Sequence, residues 1–144
     1  MSKNYFQILR AGINTTFQDL GRENLYHIGI PFSGAMDRRN YLISNRLVQN
    51  KSDSPVIEFA YQGPLMKYFG ERINVAITGD VHFTLKKKDK KIEGLCYKNY
   101  FLENGDEIDI LSTNKSVYGY FSIGGEFDLK YQWNSCSINT KANI

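Results

Sequence analysis

Apolar residues in most of this chain come in short runs punctuated by glycine, proline, asparagine and aspartate, a spacing that suits strands and turns. Residues 5–9, 55–61, 65–69 and 73–77 read as strands, the last alternating apolar and polar side chains as a half-buried strand does. Residues 81–85 and 92–97 flank a lysine-rich tip as a hairpin. Residues 108–111 follow the Asn104-Gly105-Asp106 turn, and 117–123 run into the paired Gly124-Gly125. The prolines at 31, 55 and 64 stand beside strand-like segments, where turns are expected. One stretch breaks the pattern. From 35 to 48, Met36, Leu42 or Ile43, Leu47 and Val48 recur at roughly helical spacing, with Ser33 or Gly34 as the cap and Asp37 in the first turn. Asn50 is the expected C-terminal stop. The fold class is therefore mainly β with one short helix near the N-terminus, as a barrel or a sandwich.

At 144 residues the chain suits one domain rather than two. Its 42% hydrophobic and 23% charged content excludes wholesale disorder. The net charge of +3 is too small to point to nucleic acid, and Lys86, Lys87, Lys88, Lys90 and Lys91 crowd into one run. That run reads as a solvated hairpin tip or as an anion or membrane patch; the solvated tip is the expectation, with neither nucleic acid nor membrane as a partner. Cys96 and Cys136 form neither a zinc framework nor a disulfide scaffold. The first residues lack the apolar core of a signal peptide, and no apolar run approaches membrane-spanning length. A cytoplasmic setting is expected. The polar stretch after Trp133 reads as a frayed tail.

Two loops carry the chemistry. In Asp19-Leu20-Gly21-Arg22, Gly21 permits a tight turn that brings Asp19 towards Arg22. The arginine fork suits a carboxylate, a bicarbonate-like group or a phosphate, unless Asp19 and Arg22 simply pair. In Gly29-Ile30-Pro31-Phe32-Ser33-Gly34-Ala35-Met36-Asp37 a glycine-bordered loop leads onto the helix, whose first N–H groups can hold an anion. Ser33 donates to a ligand or caps the helix. Asp37 orients a substrate amide or a catalytic lysine, or complements the helix dipole. No P-loop lysine and no GxSxG elbow is present. His27 is an acid/base group or a structural loop residue, and His82 sits in a strand; two histidines without carboxylate help make no metal site. Glu58 sits mid-strand, where an inward carboxylate is costly unless paired; it contacts Arg22 or a ligand, or faces water.

Taken in order, these segments resemble one family. The sequence runs Thr-Thr-Phe-Gln-Asp-Leu-Gly-Arg at 15–22, the 29–37 loop, Asn45-Arg46-Leu47-Val48-Gln49-Asn50, Glu58 ahead of Gly63-Pro64, Ala76-Ile77-Thr78-Gly79, then Gly124-Gly125. This is similar to the family of biotin-dependent carboxyltransferases and 5-oxoprolinase C subunits, which includes KipA-type proteins, the second subunit of allophanate hydrolase and part of urea carboxylase. The resemblance implies a cyclophilin-like β-barrel, here partial, and a heteromeric partner resembling the 5-oxoprolinase B subunit (KipI-like). It implies a small amide or lactam substrate, with a pocket at Gln18, Asp19, Gly21, Arg22, Ser33, Gly34, Asp37 and Asn45; it names no catalytic residue and no metal site. There are departures. Glu23 stands where the family has glycine, and Asn134-Ser135-Cys136-Ser137-Ile138 replaces a Gly-Ser-x-Ser-Thr run. Family members are also longer, so residues 1–144 are read as the N-terminal part of a carboxyltransferase subdomain A/B type domain, truncated at its C-terminus.

The leading functional expectation is a fragment of one component of an ATP-dependent 5-oxoprolinase, converting 5-oxoproline to glutamate, with ATP used by the assembled complex. The first alternative is a biotin-dependent carboxyltransferase acting on a urea-like amide. The second is a non-catalytic KipA-like protein that binds a kinase inhibitor.

Overall fold

The computed structural model describes residues 4–21, 34–125 and 127. The elements are β1 (Tyr5–Arg10), β2 (Thr16–Gln18), α1 (Arg38–Leu47), β3 (Val56–Ala60), β4 (Leu65–Phe69), β5 (Ile73–Thr78), β6 (Val81–Lys87), β7 (Lys90–Glu93), β8 (Tyr100–Leu102), β9 (Glu107–Thr113) and β10 (Tyr118–Ile123). They build two five-stranded sheets: sheet A in the order β1-β4-β9-β6-β7 and sheet B in the order β2-β3-β10-β5-β8. The strand pairs are antiparallel. The mainly-β expectation with one helix holds, and no closed barrel forms among the described residues. Strands β2 and β8 escape a reading by alternation because each is only 3 residues long.

The core lies between the sheets. Met66, Tyr68, Phe83, Leu85, Ile108 and Ile110 of sheet A meet Ile57, Phe59, Val75, Ile77, Leu102, Phe121 and Ile123 of sheet B. Each set occupies alternate positions along its strands, as a pleated sheet requires. Sheet A comes closer to the simple pattern, with His82 and Lys86 of β6 exposed although Thr84 between them is buried. The lysine run is the β6–β7 hairpin expected, with Lys86, Lys88, Lys90 and Lys91 exposed. Lys87 turns back to bind Asp106 at 2.5 Å.

Sheet B departs from the pattern. The alternation in β5 predicts a half-buried strand, yet Val75 to Thr78 are buried on both faces, because α1 lies across the outer one. The helix also begins later than its apolar spacing suggests. Its N-cap is Asp37 rather than Ser33 or Gly34, with the Asp37 carboxylate accepting from Asn40 N at 3.1 Å. Met36, expected on the apolar stripe, is 68% exposed. The face turned to the sheet is Tyr41, Ser44, Asn45 and the C-cap Val48, a helical spacing written largely in polar residues. Asn50 takes part in the helix stop: Gln49 takes the left-handed conformation, φ 61°, and Asn50 N donates to Asn45 O at 2.9 Å. The Asn50 side chain also ties the helix end to the end of β10, donating to Ile123 O and Gly125 O and accepting from Gly125 N. No helix among the described residues is long and apolar enough to cross a membrane.

Candidate functional site

The outer face of sheet B carries a polar row. Strand register places Thr16 of β2 beside Glu58 of β3, Glu58 beside Tyr120 of β10, and Tyr120 beside Thr78 of β5. Glu58, Thr78 and Tyr120 are buried, as is Gln18, which donates to Thr16 Oγ1 at 2.9 Å. Buried polar groups persist in folded proteins when they are hydrogen-bonded, and this row is bonded chiefly to α1 and the loop ahead of it. Thr78 Oγ1 donates to Asn40 O at 2.7 Å, and Ser122 Oγ to Ser44 O at 2.8 Å. Tyr41 OH and Asn45 Nδ2 converge on Ser54 O at 2.7 and 2.9 Å. Asn45 Oδ1 is buried without a hydrogen bond among the described residues.

Glu58 is the centre of the row. Its Oε2 accepts from Tyr120 OH at 2.7 Å and from Met36 N at 2.8 Å. Tyr120 OH in turn accepts from Asp37 N at 2.7 Å. The strand carboxylate therefore holds the two residues that precede α1. Burial pushes the Glu58 carboxyl above its ordinary value; the bonds from Tyr120 and Met36 oppose that shift, and nearby Asp37 adds to it. The Tyr120 phenol is raised as well, first by burial and then by its bond to Glu58. A carboxyl group in this setting is suited to hold or hand over a proton closer to neutrality than an exposed glutamate is.

The two sequence loops meet above this row. Asp19 Oδ1 accepts from Gly21 N at 2.8 Å, closing the turn, and Ala35 N donates to Asp19 O at 3.0 Å. Gly34 sits at φ 94°, and a Cβ there would lie 2.8 Å from Leu20 O, so the close contact between the loops needs a glycine. Asp37 spends its carboxylate on the helix start, accepting from Asn40 N at 3.1 Å and from Asn40 Nδ2 at 2.7 Å. On the other side, Tyr97 OH donates to Asn40 Oδ1 at 2.6 Å. Asn40 and Tyr97 line a shallow cavity of about 560 Å³ that also includes Asp80, Lys115 and Ser116.

Of the expected pocket residues, the structure brings together Gln18, Asp19, Gly21, Gly34 and Asp37 at the head of α1, whereas Asn45 sits further along the helix, beneath it. Arg22 and Ser33 lie outside the described residues, as do His27 and Cys136. Glu58 is buried on the outer face of sheet B and is paired with Tyr120 and Met36 N rather than facing water. Sequence reasoning misses Tyr120, although its place opposite Glu58 follows once the strand order is known. His82 is exposed on sheet A, away from the row. Among the described residues no group of three His, Cys, Asp or Glu gathers to hold a metal ion.

Residues 28–144 match the model of the carboxyltransferase domain, subdomain A and B. This chain belongs to that carboxyltransferase family. The C subunit of the Haemophilus influenzae 5-oxoprolinase is 31% identical over 137 residues, 95% of this chain and 43% of that protein. The urea amidolyase of Lachancea kluyveri is 33% identical over 140 residues, 96% of this chain and 7% of that protein. The crystal structure of the K. lactis urea amidolyase superposes with a TM-score of 0.84 at 30% identity, covering 92% of this chain and 8% of that one. The chain thus spans less than half the length of these relatives.

Proposed function

We propose that the chain supplies a substrate-binding surface to an ATP-dependent amide-hydrolysing complex of the 5-oxoprolinase type, opening 5-oxoproline to glutamate with a KipI-like partner. The observation that carries this reading is the 31% identity to the C subunit of the Haemophilus influenzae 5-oxoprolinase along 95% of the chain. The convergence of both motif loops over one buried carboxylate supports the same reading. Residues 1–144 are taken as the N-terminal part of a longer domain, in keeping with the 43% of that relative they span. Arg22 binds the substrate carboxylate or a phosphorylated intermediate through its bidentate fork. Gln18 and Asp37 orient the lactam amide. ATP serves the assembled complex rather than a phosphate cradle in this chain, whose glycine-bordered loop carries no P-loop lysine. Co-expression with the partner subunits is expected to give ATP-dependent glutamate release from 5-oxoproline, and Arg22→Ala is expected to abolish most of it. An unchanged rate in that variant would sink the role given to Arg22.

A second reading rests on the 33% identity to the Lachancea kluyveri urea amidolyase: transfer of a carboxyl group to a urea-like nitrogen, with carboxybiotin as the donor. Turnover of urea with a biotin carrier, and none of 5-oxoproline, would select it.

A further inference from the structure

We propose that Glu58 is the proton-transfer residue of this site, acting through its Oε1 atom, with Tyr120 as its positioning partner. The proposal rests on the amide-hydrolysis reading and adds to it the group that moves the proton.

The geometry divides the two carboxyl oxygens. Oε2 is clamped by Tyr120 OH at 2.7 Å and Met36 N at 2.8 Å. Oε1 takes no hydrogen bond from any described residue. A carboxylate fixed by one oxygen and without a hydrogen bond from a described residue at the other has a defined direction for proton exchange, which general acid–base catalysis requires. Its surroundings fit the task. Glu58 is 5% exposed, and desolvation lifts its carboxyl above the ordinary range. The titratable groups that face it among the described residues are Tyr120 from β10 and Asp37 from the start of α1; Thr16, beside it on β2, carries no charge. The segments that roof it, 18–21 and 34–37, are those assigned above to the substrate.

A role in structure alone would need only the clamped oxygen. Glutamine in its place would keep the acceptor for Met36 N. Tyr120 needs an acceptor too, but a neutral amide carbonyl meets that need at no cost in burying a charge. A carboxylate is the dearer choice, and it is explained by a proton that has to come and go.

In the hydrolytic step of lactam opening, with ATP cleaved separately by the assembled complex, the oxygen of a water molecule bonds to the carbonyl carbon while one of its protons passes to Glu58 Oε1. The C–N bond then breaks and that proton passes from Oε1 to the departing nitrogen. The second proton of the water stays with the new carboxyl group. Glu58 ends as it began, and no oxidant or reductant is required.

The test uses the full chain, alone and with its partner subunits. In the assembled complex Glu58→Gln should lower the rate of 5-oxoproline opening by about a hundredfold or more, the usual worth of a general acid–base group. Its thermal melt should stay close to that of the parent. Tyr120→Phe should lower the rate and move its pH profile upward, because the phenol's bond to Glu58 holds that carboxyl in place and lowers its pKa. In the isolated chain, carboxyl carbon NMR should show one glutamate titrating above the rest, absent in Glu58→Gln and shifted further up in Tyr120→Phe. If the parent complex opens 5-oxoproline and Glu58→Gln opens it equally well, the inference is overturned and the amide-hydrolysis reading stands. If the isolated chain shows no raised glutamate, the inference is overturned whatever the turnover. If the raised glutamate is present but the parent complex turns over no lactam or amide, the function reading fails, and proton transfer in lactam opening fails with it.

Discussion

Sheets A and B each turn alternate residues to the core between them, yet their outer faces have opposite fates. On sheet A the outer face meets solvent: Lys86 is exposed, and Arg10 and Asp109, 34% and 28% exposed, pair at 2.9 Å. On sheet B the outer face is covered by α1, so Glu58, Thr78, Tyr120 and Ser122 are stripped of water. The same alternation of apolar and polar residues therefore marks a wetted surface in one sheet and a buried polar network in the other. A polar strand residue becomes informative only when something covers it, because desolvation is what forces it to find a partner and shifts its pKa.

Substitutions on each face, and between them, probe that contrast. The largest loss should come from neither outer face but from the shared core: Phe59→Ala should cost about 3–5 kcal/mol in a denaturant titration. Phe59 is fully buried between the sheets. Next comes Tyr120→Phe, which strips Glu58 of a donor and Asp37 N of its acceptor. Leaving such groups buried and unpaired should cost about 1–3 kcal/mol. Asp37→Ala removes the N-cap and should cost about 1 kcal/mol, seen as a lower melting temperature. Smallest should be Asp109→Asn on sheet A, where a partly exposed ion pair is worth about 0–1 kcal/mol and less in high salt. A loss from Asp109→Asn as large as that from Tyr120→Phe would erase the distinction between the faces.

The contrast also sets a pH dependence. The Glu58 carboxyl is raised above its ordinary value of 4.5 in the folded chain, so between that value and its folded value the native state holds more proton than the unfolded one. Its contribution to stability is therefore full below 4.5 and is lost as pH rises through the raised value. Glu58→Gln should flatten that limb of a stability-against-pH curve, and an unaltered slope would contradict the burial of a titrating carboxyl.

Much of the fold is legible in the residues. The strands at 5–9, 55–61, 65–69 and 108–111 announce themselves by short apolar runs between turn residues, and Gly105 takes the left-handed φ of 91° that its turn suggests. The two motif loops come into contact at Gly34. What is not legible depends on contacts between distant segments. Apolar spacing gives the helix a buried stripe with Met36, yet it buries Ser44 and Asn45, because Ser122 of the sheet and Ser54 ahead of β3 supply polar partners that no local pattern reveals. Glu58 and Tyr120 are 62 residues apart, and only the antiparallel register of β3 and β10 makes them neighbours. The choice of cap fails for a related reason: Asp37 has both Asn40 bonds, which outweigh a serine placed earlier in the chain.

On the proposal made above, the chemistry is done on the covered face of sheet B, not on the wetted face of sheet A. The direct measurement is the rate of 5-oxoproline opening by the assembled complex carrying Glu58→Gln, beside the same complex carrying Asp109→Asn. A loss of about a hundredfold or more is expected for the first and little change for the second. Equal rates in the two variants would contradict the claim.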